Sequence, residues 1–166
     1  MRHIISILLQ NEAGALARVA GMFASRGYNI DALSVAPTHD PTVSRLTVVT
    51  TGSEEVVQQI VQQTRKLIDV VQIVNLSTRE HLECEMLMLK FEVDPATVRA
   101  AIDCVRRYHG VILDESDNTR MVQLSGTGSE IDAFITEMGR TVRLLEMARS
   151  GVAAMERGQQ VLVSPA

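Results

Sequence analysis

The chain opens on "HIISILL" (3–9), apolar at nearly every position, as in a strand buried on both faces. From Ala15 the period changes. Leu16, Val19, Ala20 and Phe23 fall at i, i+3, i+4 and i+7, one face of a helix, and Gly27 after "ASR" sits where a helix commonly ends in a left-handed residue. "NIDALSVAP" (29–37) predicts a second strand, "THDPTV" a loop and "SRLTVVTT" (44–51) a third strand. Ser53 can cap a helix with Glu54 and Glu55 beside its positive end. Its apolar stripe is Val56, Val57, Ile60, Val61, Thr64, Leu67 and Ile68, and "DVVQIVNL" (69–76) predicts a fourth strand. The first 76 residues therefore read βαββαβ.

Polar "STREHLE" (77–83) reads as a linker, after which the same order returns. "CEMLMLKFEV" (84–93) is a strand, Asp94 an N-cap and Pro95 a first helical residue. Val98, Ala101, Ile102 and Val105 form the stripe, and Gly110 is expected to close that helix as Gly27 closes the first. "VILDES" and "TRMVQLSG" pair as strands around "DN". Thr127 and Glu130 have capping-box spacing before Ile131, Phe134, Ile135 and Met138, and "RLLEMARSG" (143–151) is the last strand. "SRLTVVTTGSEE" and "TRMVQLSGTGSE" share wording, by duplication or by a common strand–cap–helix grammar. The expected fold is α+β: two ferredoxin-like βαββαβ sandwiches, spanning 1–76 and 84–166. Each sheet has one face covered by its own two helices. The other, apolar face calls for a partner and hence a dimer.

Composition narrows the function more than the fold. At 46% apolar and 3% aromatic, the core must be aliphatic. A net charge of −4, with Lys and Arg dispersed, argues against a nucleic-acid binder. "IISILL" is too short for a signal segment, and no run approaches the about 18 residues of a membrane helix, so a soluble, cytoplasmic protein is expected. Cys84 and Cys104 lie outside any CxxC and read as ordinary thiols.

Catalytic constellations are missing from the sequence. Asp31 and Asp40 are isolated, and "ESD" (115–117) reads as a solvated turn before it reads as an acid/base pair. His39, in "APTHDP", is the best catalytic candidate and reads first as a loop histidine; His81 and His109 read as linker and helix-end residues. "GTGS" (126–129) lacks the length and the lysine of a phosphate loop, and Met86 and Met88 suit core or interface packing. No metal or cofactor is expected in this chain.

The stretch "QNEAGAL" (10–16) admits two readings. In one, Asn11 caps the helix and Gly14 relieves a turn. In the other, amides at a helix N-terminus receive a carboxylate, Gly14 allows close approach, and Asn11 offers both a donor and an acceptor.

"NEAGALARV" followed by "RGYNIDALSVAPTHDPTVSRLTVV" resembles the ACT domain that opens the regulatory (small) subunits of acetolactate synthase, also called acetohydroxyacid synthase. The likeness covers residues 1–76, and "RLLEMARSGVAAMERG" extends it more loosely. Ala13, where many ACT domains have proline, and Asn11, where many have aspartate, depart from the general pattern. The resemblance implies a non-catalytic subunit that activates a large catalytic partner carrying thiamine diphosphate, FAD and Mg2+. It also implies feedback inhibition by a branched-chain amino acid, typically valine. By position, Asn11, Gly14, Ala15 and Leu16 of one chain and Asn29 and Ile30 of a second would bind the amino acid in a homodimer. A stand-alone amino-acid-binding regulator of another enzyme or of transcription, and a small ferredoxin-like enzyme, are the alternatives.

Overall fold

The computed structural model describes residues 1–163. The chain forms two compact units: residues 1–82 together with the chain from Val152 onward, and residues 83–151.

The first unit contains β1 (Arg2–Gln10), α1 (Ala15–Ser25), β2 (Ala32–Pro37), β3 (Val43–Thr51), α2 (Glu54–Thr64) and β4 (Val70–Asn75), the expected βαββαβ order. Its sheet runs β2-β3-β1-β4, with β1 antiparallel to both neighbours. Alternation along β1 explains its unbroken apolar run. Ile5, Ile7 and Leu9 pack with Val19, Phe23, Val57 and Ile60 from the helices. Ile4 points to the opposite face, where it packs with Val49 and Leu76.

That opposite face is not bare. Val152 and Ala154, from the end of the final strand, complete the cluster around Ile4, and the Arg45 guanidinium donates to the Ala154 carbonyl at 2.7 Å. The sheet face expected to be wholly open is therefore partly closed. Part of the cover comes from the chain itself, through residues too distant in sequence for local patterning to register.

The second unit is built on β5 (His81–Glu92), α3 (Val98–Arg107), β6 (Val111–Glu115), β7 (Thr119–Gly126), α4 (Gly128–Thr141) and β8 (Arg143–Glu156), in sheet order β6-β7-β5-β8. Leu87, Leu89 and Phe91 meet Ala101, Val105, Ile131 and Phe134. Arg149 forms a two-pronged ion pair with buried Glu85 and also bonds Asp132.

Several local expectations shift. The stretch read as a linker contains a 3-10 turn, Leu76–Thr78, and the first residues of β5. β8 runs five residues beyond "RLLEMARSG". α2 ends at Thr64, and Ile68, counted in its stripe, is 87% exposed. Gly27 takes the left-handed conformation expected of it, with φ 69°. Tyr28 N–H reaches the Phe23 carbonyl at 3.0 Å, and the two rings pack edge to face. On α3 the left-handed residue is His109, φ 57°, not Gly110. Gly110 is demanded by crowding: a Cβ there would lie 2.9 Å from Val105 Cγ1 and 3.2 Å from the Val105 carbonyl oxygen.

Candidate functional site

Two of the four α-helices have a side-chain oxygen on their N-terminal amides. Ser53 accepts from Val56 N–H on α2, and Thr127 and Glu130 form a full capping box on α4. At α3 the N-cap Thr97 makes no side-chain cap bond, but in the turn before it Asp94 Oδ1 accepts from the Ala96 and Thr97 amides at 2.9 and 2.8 Å. At α1 the N-cap is Gly14, left-handed at φ 88°, with no side-chain cap and no acidic residue in the first turn. The Ala15 amide turns back to the Glu12 carbonyl at 3.2 Å. Helix geometry leaves the next two amides, of Leu16 and Ala17, without an intrahelical acceptor.

Asn11 does not cap α1. Its Nδ2 donates to the Pro41 carbonyl at 2.9 Å, its Oδ1 accepts from Ser44 Oγ at 3.0 Å, and its amide donates to the Thr42 carbonyl at 2.7 Å. The side chain is thus held upright by the loop into β3, with one Nδ2 hydrogen and one Oδ1 lone pair to spare. Ala15 is buried, and Leu16 is 37% exposed beside the uncapped turn.

Asn29 and Ile30 lie elsewhere. Asn29 Nδ2 donates to Asp31 Oδ1 at 2.6 Å, and its carbonyl accepts from Thr50 Oγ1 at 2.7 Å. Thr50 pairs with His3 at one end of β1, while Val43 pairs with Gln10 at the other. Seven residues of strand separate those ends, ~23 Å at a strand's rise. One chain therefore does not bring Asn29 and Ile30 to the Asn11–Leu16 corner.

Two residues that sequence reasoning passed over complete the corner. Arg18 and Asp69 form a two-pronged ion pair, with Nε on Oδ2 and Nη2 on Oδ1, and the Asp69 side chain is 3% exposed. The pairing holds the Asp69 carboxyl below the usual carboxylate range and raises Arg18. Asp69 is anchored in turn, its carbonyl accepting from Gln10 N–H at 2.8 Å. Arg18 was legible as an arginine one turn beyond Gly14; its partner, on the far side of α2, was not.

The remaining candidates do not assemble. His39 is exposed, as are Glu115, Ser116 and Asp117. Cys84 is exposed and Cys104 buried, both free, and burial pushes the Cys104 thiol up. Among the described residues no group of three or more His, Cys, Asp or Glu could hold a metal ion, and no helix is long and apolar enough to cross a membrane. A groove of about 830 Å³ on the opposite face of the first sheet, lined by residues such as Arg45, Thr47 and Ala154, includes none of the six candidate residues.

Residues 5–72 match the family described as the AHAS small subunit-like ACT domain, and residues 84–158 match that described as the small subunit of acetolactate synthase. The chain is 41% identical over 162 residues to the acetolactate synthase isozyme 3 small subunit of Salmonella typhimurium, covering 98% of this chain and 99% of that one. It is 42% identical to the acetolactate synthase small subunit of Haemophilus influenzae, covering 96% and 98%. The crystal structure of the small subunit from Thermotoga maritima superposes with a TM-score of 0.86 at 30% identity, covering 96% of this chain and 99% of that one. With an ACT fold at its N-terminus, a second sandwich of the same order behind it and full-length likeness to these proteins, the chain belongs to the acetolactate synthase small-subunit family, the regulatory partners of a larger catalytic subunit.

Proposed function

We propose that this chain senses valine, or a closely related branched-chain amino acid, and relays its presence to the acetolactate synthase catalytic subunit, which it also activates. That partner would carry the thiamine diphosphate, FAD and Mg2+. The observation that carries the reading is the uncapped N-terminus of α1: the Leu16 and Ala17 amides stand without an intrahelical partner beside a glycine with no side chain. A ligand carboxylate supplies the missing acceptor. Asn11, braced by Pro41 and Ser44, orients the head group, and Leu16 offers apolar surface to an aliphatic side chain.

Because Asn29 and Ile30 lie ~23 Å along the strand from that corner, they serve a second copy's corner in a homodimer. Asn29 of the partner subunit spends its Nδ2 on Asp31, which leaves its Oδ1 to accept from the ammonium. Residues 1–76 form the sensing and dimerising domain in this reading, and residues 84–166 set the response of the catalytic subunit.

The test is reconstitution with the catalytic subunit. Acetolactate formation should rise on adding the chain and fall when valine is then added, and calorimetry on the chain alone should detect valine. Activation with no valine response or binding would remove the sensing half of the proposal; turnover by the isolated chain would overturn the regulatory assignment.

A further inference from the structure

Gly14 is left-handed, but strain is not the only reason a side chain is missing there. A Cβ on Gly14 would fall 2.9 Å from Arg18 Nη1. Nε and Nη2 of the same guanidinium are committed to Asp69. The pair fixes the plane of the guanidinium, so the third arm, Nη1, is carried to the Gly14 side of the corner. Arg18 is half-exposed while Asp69 is buried, so the cation faces outward and its counter-charge inward. Glu12, exposed on the same corner, adds its negative charge to the field at Arg18.

We propose that Arg18 is a ligand-binding residue: its Nη1 donates a charge-assisted hydrogen bond to the carboxylate of the amino acid received at the uncapped turn of α1. The inference rests on the sensing reading above and adds a charged determinant to a site otherwise made of amides and asparagines. Asp69 is then a positioning residue, since without it the long arginine side chain loses the geometry that aims Nη1. Glycine at position 14 leaves the arm its place, since a side chain there would have to displace it.

The proposal distinguishes a role in charge recognition from a role in structure. Binding of L-valine and of L-valinamide, whose carboxylate is replaced by a neutral amide, is measured by calorimetry on the full chain. The variants are the parent, Arg18→Gln, Arg18→Lys and Asp69→Asn, each checked for folding by circular dichroism. The parent should favour valine over valinamide. Arg18→Gln should weaken valine about ten- to a hundredfold while leaving valinamide within about twofold, collapsing the preference. Asp69→Asn should fall between, and Arg18→Lys, which keeps the charge but not the fork, should recover part of the loss. An Arg18→Gln chain that loses both ligands equally, fails to fold, or keeps the full preference overturns the proposal. A parent chain that binds neither ligand overturns the sensing reading instead.

Discussion

Replacing each of two glycines of one helical segment by alanine should move stability in opposite directions. Gly21 lies inside α1 with nothing within 4 Å of a prospective Cβ, and its backbone is ordinary helix. Gly21→Ala narrows the unfolded ensemble without a steric penalty and should stabilise by about 0.4–1 kcal/mol. Gly14 has φ 88°, and its prospective Cβ lies 2.9 Å from Arg18 Nη1. An alanine there carries about 1–2 kcal/mol of left-handed strain and also displaces the guanidinium arm. The two substitutions should therefore differ by about 1.5–3 kcal/mol, read as opposite shifts of the urea midpoint at unchanged slope. Gly14→Asp tests a separate element, since aspartate tolerates the left-handed region better than alanine but sets a carboxylate beside Arg18. It should cost less stability than Gly14→Ala and more valine affinity, by competing with both Asp69 and the ligand. Equal midpoints for Gly14→Ala and Gly21→Ala would refute the conformational argument, and normal valine binding by Gly14→Asp would remove the corner from the site.

Asn11→Ala removes the side chain braced by Pro41 and Ser44 and should weaken valine binding about ten- to a hundredfold by calorimetry while activation of the catalytic subunit persists. Phe134, fully buried and stacked edge-on against Tyr108 at 5.3 Å, should cost the second unit about 3–5 kcal/mol on truncation to alanine, measured by urea denaturation. Acid should destabilise the chain. Asp69 is held down by Arg18, Asp94 by the Thr97 hydroxyl and amides, and Glu130 by the Thr127 amide and hydroxyl. Each carboxyl titrates lower when folded than when unfolded, so the stabilisation is complete above about pH 5 and is lost as pH falls through the folded values. Urea midpoints that do not drop between neutral pH and about pH 3 would contradict this.

The order of elements was legible because each half satisfies local rules. Strand and helix periods alternate cleanly, and Ser53, Thr127 and Gly27 sit at the boundaries their chemistry favours. What escaped were features decided by distant parts of the chain. Ile68 fits the helical period of α2 yet is left in solvent because the helix stops at Thr64 and the chain turns into β4. His109 takes the left-handed position because Gly110 is needed one step later, against Val105 and Gln123. Val152 and Ala154 carry no local sign of their role, but they pack on Ile4 and Leu76, far away in sequence. At the site, Asn11 and Gly14 stood out as residue types, whereas the Arg18–Asp69 pair spans 51 positions and carries no local signature. Asn11's actual partners, Pro41 and Ser44, belong to a loop that the sequence offered only as a connection.

The two halves repeat one order of elements, and the contrast between their first strand–helix corners explains why only one is a sensor in this reading. In the turn before α3, Asp94 places its own carboxylate on the Ala96 and Thr97 amides, so an incoming carboxylate meets a like charge there. At α1 the N-cap is Gly14, with a guanidinium alongside. A glycine N-cap costs a helix only a few tenths of a kcal/mol relative to a Ser, Thr, Asp or Asn cap, so the first unit keeps its donors open at little cost in stability. Ligand at a hundred times its dissociation constant adds about 2.7 kcal/mol to the stability of the state that binds it. Valine should accordingly slow amide hydrogen exchange at Leu16 and Ala17 and through α1, and leave the first turn of α3 unchanged. Equal protection of Ala96 and Thr97 would mean that the corner's lack of a cap has nothing to do with recognition.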